Sequence, residues 1–323
     1  MKNEGMTNEE RGTDMKRLVV LTVLVAAGAL SMGVLLAQPT NGDIRIEKVK
    51  DNLYIVTGGR QGGGIAGNTT VFIADSGVVL IDAKYAGFGK AILDQVKSVT
   101  SKPVTTIINT HAHGDHTGGN PDFPRSVEFI AHENAKANMT RMEEFKGLKA
   151  AFLPAKTFKD TMSLFSGKDR IDLRYFGAGH TNGDAVIVFP ALRTVVMGDL
   201  FARKWAPFAD ATNGGNMTAF PRTLAKAIGA ITDVDTVITG HATTTIGSGP
   251  TVSFVRSSPV MKWSDLQEFA DFTREFVAAA QAAKKAGKSA DDAAKSLNLP
   301  AKYKDYDMAR AAEDVRLVYE ETK

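Results

Sequence analysis

Residues 110–119 read Thr-His-Ala-His-Gly-Asp-His-Thr-Gly-Gly and follow directly on an apolar run, 104–109, that predicts a β-strand. This stretch holds three of the six histidines in the chain. Imidazole nitrogens and carboxylate oxygens are the ligands that zinc accepts where no thiolate is offered. The glycines allow the tight backbone that lets such side chains converge. The stretch therefore predicts a metal-binding loop at a strand end, with four candidate ligands: His111, His113, Asp115 and His116.

The composition excludes several other kinds of site. The 323-residue chain has no cysteine, which removes disulfides, thiolate nucleophiles and sulfur-ligated metals. The 39 Lys+Arg against 36 Asp+Glu give a net charge of +3, too small to indicate nucleic acid as a partner. No Gly-x-Ser-x-Gly motif is present. The sequence therefore favours a metal-dependent site for a small-molecule substrate, and it gives no indication of oligomeric state.

The pattern along the chain predicts sheets covered by helices, an α/β (α+β) fold class. Short β-rich runs come first, at 53–56, 69–74 and 78–81, and strands and helices then alternate as far as a strand at 236–239. After about residue 258 the pattern becomes helical, with a capping box at Ser264 to Gln267 and a last helix over about 305–321. We expect a main domain over 38–258 and a C-terminal helical extension over 259–323, packed on or beside it.

The amino-terminal residues predict a targeting segment. Lys16 and Arg17 precede an apolar run, 18–37, that ends in small and polar residues, which is typical of a cleaved secretory signal peptide. The run is also about the 20 residues that a membrane span needs, so an uncleaved anchor is the alternative. Either interpretation places the rest of the chain outside the cytoplasm, periplasmic or secreted, with no membrane contact beyond that anchor.

The order His-x-His-x-Asp-His after a strand resembles the signature of the metallo-β-lactamase superfamily. Four further motifs match in the family's order: Asp82 after a strand, Gly179-His180-Thr181, Gly198-Asp199 and Gly240-His241. The resemblance covers roughly residues 44–245. It implies a four-layer αβ/βα sandwich, with two sheets face to face, helices outside and metals at the sheet edge.

The resemblance also implies a ligand set for two zinc ions. Seven side chains would serve, in two groups with one bridging carboxylate: His111, His113 and His180 for one ion, Asp115, His116 and His241 for the other, and Asp199 between them. Asp82 would support the loop without binding metal, and Asn109, Thr110 and Thr181 are further candidates for that role. The sixth histidine, His132, matches no ligand position and is expected to lie at the surface or to cap a helix.

Such a site implies hydrolysis. A metal-bound hydroxide, oriented by Asp115, would attack an ester, thioester, lactam or amide carbonyl, or a phosphoester. Classical zinc β-lactamases carry a cysteine or no bridging ligand where this chain has Asp199, which instead resembles glyoxalase II-type thioesterases and the general hydrolases of the superfamily. Export favours substrates met outside the cytoplasm, and lactam cleavage stays open as a main or side activity.

Substrate contacts are less well indicated. The glycine-rich stretch 58–67, which includes Gly63, predicts either a flap over the metals or a hairpin without contacts. Arg203 and Trp205 follow Asp199 and predict a lip for an anionic or aromatic substrate. Alternatively, Trp205 is buried and the side chains of Arg203 and Lys204 are solvated.

Two other functions fit the same ligand pattern. Persulfide dioxygenases resemble it but use a single iron for oxygen chemistry. A metal-binding protein without catalytic activity is the second alternative, although a complete ligand set disfavours it.

Overall fold

A computed structural model describes residues 44–62, 64–246 and 253–322, with only the backbone described in the strands at 243–246 and 253–256. The predicted targeting segment, residues 1–37, and Gly63 lie outside the described residues. Within the described ranges, no helix combines the length and the apolar character needed to cross a bilayer.

The described residues form these strands in chain order: β1 (Arg45–Lys50), β2 (Leu53–Thr57), β3 (Arg60–Gln61), β4 (Gly64–Ile65), β5 (Thr69–Ala74), β6 (Gly77–Ile81), β7 (Val104–Ile108), β8 (Glu128–His132), β9 (Lys156–Phe158), β10 (Thr161–Leu164), β11 (Ile171–Tyr175), β12 (Ala185–Phe189), β13 (Thr194–Val196), β14 (Thr236–Ile238), β15 (Thr243–Ile246), β16 (Ser253–Arg256) and β17 (Val260–Lys262). The α-helices are α1 (Gly89–Lys97), α2 (Gly114–Thr117), α3 (Glu133–Met139), α4 (Phe220–Ala230), α5 (Trp263–Lys285), α6 (Ala290–Lys295) and α7 (Ala311–Glu321). Short 3₁₀ turns connect several of them, among them Glu143–Phe145, Gly147–Phe152, Gly198–Phe201 and Ala301–Tyr303.

Two mixed sheets contain most of these strands. The first has the order β1-β2-β5-β6-β7-β8-β9, and β6 to β9 run parallel to one another. The second has the order β10-β11-β12-β13-β14-β17, with one parallel pair, β13 and β14. Parallel neighbours need a crossover connection, which α1 supplies between β6 and β7 and α4 between β13 and β14. The loops that leave β6, β7, β13 and β14 therefore all start from carboxyl ends of parallel strands.

The inner faces of the two sheets pack against each other. Leu53 and Phe72 of the first sheet share one buried cluster with Leu173 and Ile187 of the second. The ring centres of Phe72 and Phe189 are 5.0 Å apart across the interface. Each such side chain contributes about 1.5–3 kcal/mol by leaving water, so this cluster is the main stabilising contact between the sheets.

Helices cover both outer faces. Ile92 and Val96 of α1 pack on the first sheet. Leu224 of α4 and Phe269 and Phe276 of α5 share a buried cluster with Val186 and Val237 of the second sheet. The layers therefore run helix, sheet, sheet, helix, which confirms the predicted αβ/βα sandwich.

The C-terminal region contributes to the sandwich itself. Strand β17 lies beyond the predicted boundary at residue 258 and pairs antiparallel with β14. Helix α5 begins at Trp263, and the Asp265 carboxylate accepts from the Lys262 N–H at 2.9 Å, so the cap lies two residues before the predicted Ser264. The last helix begins at Ala311 rather than near residue 305, because Asp307 exchanges backbone hydrogen bonds with residues 204 and 206.

His132 is a buried cap and not a surface residue. Its Nδ1 accepts from the Asn134 N–H at 3.2 Å at the start of α3, and its Nε2 lies 2.7 Å from the Lys159 carbonyl. The ring stacks on Tyr175 with centres 4.0 Å apart. Of the two predicted alternatives, the capping role is therefore confirmed, and the aromatic neighbour that buries the ring could not be predicted from the local sequence.

The buried Asp314 on α7 should make the free energy of unfolding depend on pH. Its carboxylate is fully buried, and neither oxygen has a hydrogen-bond partner among the described residues. Burial raises its pKa to about 8, against about 3.9 in an unfolded chain. Between these values the folded protein keeps a proton that the unfolded chain has lost, so stability falls as pH rises from 4 to 8. We expect Asp314→Asn to raise the free energy of unfolding at pH 8 by about 2 kcal/mol and to change it little at pH 4.

Chemical denaturation at several pH values measures this effect. Glu320→Gln is the matched control, because Glu320 is exposed on the same helix. If the increase in the free energy of unfolding caused by Asp314→Asn did not grow with pH, the buried carboxyl would not be the source of the pH dependence.

Candidate metal centre

The seven predicted ligands come together in two groups at the strand ends. His111, His113, His180 and Asp199 form the first group, and Asp115, His116 and His241 form the second. Within each group, one ligand atom from each residue lies within 4.8 Å of the others. Residues far apart in the sequence meet because the loops after β7, β11, β13 and β14 open at the same edge of the sandwich.

Asp82 joins the loop after β6 to the loop after β7. It follows β6, and its Oδ1 accepts from the Thr110 N–H at 2.8 Å while its Oδ2 accepts from Thr110 Oγ1 at 2.7 Å. The same Oδ2 lies 2.7 Å from His116 Nδ1. Its φ of 66° is one that residues other than glycine rarely adopt, and these three contacts hold it there. Asp82 thus occupies the supporting position expected of it.

Each of four ligand histidines is held through the ring nitrogen that faces away from its group. His113 Nε2 lies 2.7 Å from Asp210 Oδ2, and His180 Nδ1 donates to the Phe208 carbonyl at 2.9 Å. His111 Nδ1 lies 2.9 Å from Thr110 Oγ1, whose own proton goes to Asp82. All of these partners accept, so the contacting nitrogen carries the proton and the other nitrogen offers a lone pair to the group. His116 obeys the same rule through Asp82.

The residues fit a divalent cation. His111 Nε2 and Asp199 Oδ1 are buried and have no hydrogen-bond partner among the described residues. A buried polar atom left unsatisfied costs about 1–3 kcal/mol, and a cation at the first group would satisfy both. Space is reserved for Asp199 as well, since a Cβ at Gly240 would lie 1.9 Å from its Oδ1. Five imidazoles and two carboxylates without thiolate are a donor set that suits zinc.

The local charges set the protonation states of the site before metal binds, and they raise the pKa of His116 and His241, each of which would lose a proton on binding metal. Burial and the neighbouring His113 lower the pKa of His180 to about 4, and burial with three imidazoles holds the pKa of His111 well below its ordinary value. Burial opposes ionisation of Asp199, but His241 and His116 outweigh it and hold its pKa well below the usual range. At His241, Asp199 and Asp115 outweigh burial and raise the pKa to about 9. The carboxylates are therefore charged, and His111 and His180 are neutral.

Comparison with known proteins identifies the family. The family model described as the metallo-beta-lactamase superfamily matches residues 62–246, more than half of the chain. The chain belongs to the metallo-beta-lactamase superfamily. A metallo-beta-lactamase of Pontibacter korlensis superposes with a TM-score of 0.58, over 72% of this chain and 99% of that one, at 18% identity. At that identity the likeness shows the fold alone.

The curated relatives match only part of this chain. This chain is 32% identical to the metallo-beta-lactamase type 2 of Elizabethkingia meningoseptica over 160 residues, 48% of this chain and 61% of the relative. It is 28% identical to the 2,4-dinitroanisole O-demethylase subunit alpha of a Nocardioides species, over 47% of this chain and 45% of that one. The chain thus spans about three fifths of the first relative and less than half of the second.

Asn109 and Thr181, two of the expected supporting residues, form hydrogen bonds with other loop residues and not with ligand rings. The Asn109 side chain exchanges hydrogen bonds with Asn120 at 2.8 and 3.2 Å. The N–H and hydroxyl of Thr181 both donate to Asp184. These bonds fix the loops that carry His111 and His180, and the contacts to ligand rings come from Asp82 and Thr110 instead.

Two residues that contact ligand rings had no signal in the sequence. Phe208 and Asp210 lie in the irregular segment between Asp199 and α4, where no motif matches. Asp210 also accepts from the Thr212 N–H at 2.9 Å, a local pattern that predicts a turn and not a contact with a distant histidine. Only the tertiary fold reveals their position.

The glycine-rich stretch 58–67 forms a hairpin from β3 and β4. Lys84 is buried and donates from Nζ to the Gly58 carbonyl at 3.0 Å and to the Gly67 carbonyl at 2.6 Å, which ties both ends of the hairpin to the loop after β6. The Gly67 N–H donates to the Asp115 carbonyl at 3.0 Å, and a Cβ at Gly67 would lie 2.4 Å from the His116 ring. The base of the hairpin is therefore part of the second group's surroundings, and its role as a flap stays a prediction.

Arg203 and Trp205 lie against the C-terminal extension. The Arg203 guanidinium carbon is 3.8 Å from the centre of the Trp205 ring, and its Nη2 is 3.8 Å from Asp307 Oδ2. Arg203 is buried. The neighbouring Lys204 pairs with Asp265 and Glu268 of α5. Trp205 and Lys204 are partly exposed, and the substrate contact of Arg203 and Trp205 stays a prediction.

The contacts of Asp82 generate a prediction about metal affinity. Asp82→Ala removes the acceptor that orients His116 and Thr110, so we expect the affinity for zinc to fall by about 10–100-fold. Competition with a chromogenic chelator measures it. Asp122→Ala is the control, since that carboxylate accepts from the Gly87 and Gly89 N–H groups and contacts no ligand in the described contacts. Equal zinc affinity in the two variants would show that Asp82 does not support the site.

Proposed function

We propose that the protein is a metal-dependent hydrolase that holds two zinc ions and cleaves an ester, thioester, lactam or amide bond of a small-molecule substrate. The observation that carries this proposal is the convergence of seven donor residues in two groups. Four of the histidines are also fixed, by acceptors, in the tautomer that offers a lone pair. Without a cation, the buried His111 Nε2 and Asp199 Oδ1 would have no hydrogen-bond partner among the described residues.

The donor residues fall into two groups, and this supports a site for two ions rather than for one. The first would be held by His111, His113 and His180, and the second by Asp115, His116 and His241. Asp199 belongs to the first group, and its Oδ2 lies 3.3 Å from His241 Nε2 of the second. From that position Asp199 would contribute to holding both ions. When bound, zinc would lower the pKa of a bound water molecule and polarise the substrate carbonyl.

Asp115 is placed to act on the attacking water. Its side chain is partly exposed, as is that of His113, whereas His111, His116 and His180 are buried. Its Oδ2 lies 3.3 Å from the Nε2 atoms of both His116 and His241. The backbone bond to Gly67 holds the residue in place. From here the carboxylate can accept a hydrogen bond from water and hold the proton that the leaving group later takes.

The relatives support a range of substrates that includes lactams. Four curated relatives are named metallo-beta-lactamases, at 23–32% identity. The O-demethylase subunit falls in the same range of identity and has a different named activity. Lactam cleavage is therefore one of the activities proposed, and the positions of Arg203 and Trp205 add nothing to the choice.

We also propose that the protein acts outside the cytoplasm. The support is the pair Lys16 and Arg17 followed by the apolar run 18–37. This part of the proposal is independent of the metal site, and amino-terminal sequencing of the protein from its native envelope fraction tests it.

Metal analysis and a substrate screen test the hydrolase. Protein purified without added metal is expected to contain about two zinc ions per chain. It should turn over at least one of nitrocefin, lactoylglutathione, a nitrophenyl ester and bis-nitrophenyl phosphate. One iron per chain would favour the oxygen chemistry of persulfide dioxygenases instead. Two zinc ions without turnover of any substrate would favour a binding protein.

Replacement of Asp115 separates its two roles. Asp115→Asn keeps an oxygen that can ligate metal but loses the negative charge that accepts a proton from water. We expect kcat to fall by about 10²–10⁴-fold with much of the zinc retained. Asp94→Asn, an exposed carboxylate on α1 paired with Lys90, is the control. Unchanged kcat in Asp115→Asn would place the chemistry on other residues.

A further inference from the structure

The segment 203–218, which we call the wall segment, holds two ligand histidines from outside. The Phe208 carbonyl accepts from His180 Nδ1 at 2.9 Å, and Asp210 Oδ2 lies 2.7 Å from His113 Nε2. The Asp210 N–H also donates to the His180 carbonyl at 2.8 Å. The Phe208 ring lies against both imidazoles, with ring centres 5.0 Å from His180 and 6.1 Å from His113. The orientation of these two ligands therefore depends on where the wall segment lies.

The wall segment has little regular structure of its own, and the C-terminal extension holds it at both ends. At the first end, the Asp307 carbonyl accepts from the Ala206 N–H at 2.7 Å and its N–H donates to the Lys204 carbonyl at 3.1 Å. At the other end, the Glu321 carboxylate accepts from the N–H groups of Met217 and Thr218 at 2.9 and 2.7 Å. Between these two anchors lies Phe208.

One residue of the extension contacts the middle of the wall segment beside the metal ligands. The Arg310 guanidinium carbon lies 3.9 Å from the centre of the Phe208 ring, a cation–π contact on the ring that packs against His113 and His180. Arg310 is only partly exposed, and its Nη2 is 3.0 Å from Glu313 on the same helix. The guanidinium thus covers the outer face of Phe208 and limits where the ring, and with it the backbone carbonyl, can move.

We propose that Arg310 is a positioning residue for the first metal group and acts through Phe208, so that the C-terminal extension completes the metal centre. The inference rests on the metal-binding part of the proposed function and not on any substrate. Removing the guanidinium frees the Phe208 ring, loosens the carbonyl that fixes the His180 tautomer and lowers the affinity of the first group for metal. The second group, which has no contact with the wall segment in the bonds described above, keeps its affinity.

Stepwise zinc binding to the full-length protein tests this, with the two constants resolved by competition against a chromogenic chelator. We expect Arg310→Ala to lower the association constant of one zinc ion about tenfold, which is the lower end of the range for residues that orient a metal ligand. The association constant of the other ion should change by less than about threefold. Arg310→Lys keeps the charge over the ring and should recover part of the loss. Arg316→Ala is the matched control, because Arg316 lies six residues after Arg310 on α7, is exposed and pairs with Asp291.

A double-mutant cycle decides whether Arg310 acts through Phe208. Phe208→Leu keeps the backbone carbonyl and removes the ring, so it should reproduce the loss seen in Arg310→Ala, and the double variant should lose no more than either single variant. Melting of the metal-free proteins checks that each variant folds. Additive losses, or unchanged constants in both single variants, would overturn the proposal. Because the constants are measured without substrate, a failed hydrolysis screen would refute the proposed reaction and leave this result standing.

Discussion

The hydrogen bonds of one buried carboxylate hold the site together. Asp82 ends β6, and it binds Thr110 and His116 across the gap to the loop that follows β7. A charged carboxylate is costly to bury without partners, and the loop supplies the donors that offset this cost. Because β6 and β7 are parallel neighbours, both loops start at the same edge. The pairing of the strands, rather than any property of the loops alone, sets the distance that these bonds span.

The ligands could be predicted because each follows a recognisable strand or motif. His111, Asp199 and His241 come just after apolar runs, and parallel strands bring such positions to one edge. Short apolar runs likewise predicted most strands of the two sheets, with ends that differ by about a residue, but not the edge strands β1, β9, β10 and β17. The glycines beside the ligands added a second signal, since Gly240 leaves room for the Asp199 carboxylate.

The rest of the site depends on tertiary contacts that have no local pattern. Phe208 and Asp210 orient two ligands from a segment without periodicity, and Arg310 reaches that segment from about one hundred residues further along the chain. The predicted start of the last helix was wrong for the same reason, because Asp307 bonds to the wall segment instead of beginning a helix. The sequence left open whether His132 lies at the surface or caps a helix, because nothing near it predicts that Tyr175 stacks on its ring.

The pairing of β17 with β14 has a consequence for how the molecule unfolds. This strand comes from the region after residue 258 but forms the outer edge of the second sheet, and the helices that follow share that sheet's buried cluster. Loss of the extension would expose unpaired backbone along β14 together with the aromatic side chains beneath α5. The described residues from β1 to α7 should therefore melt in a single cooperative transition, and limited proteolysis should release no smaller folded fragment.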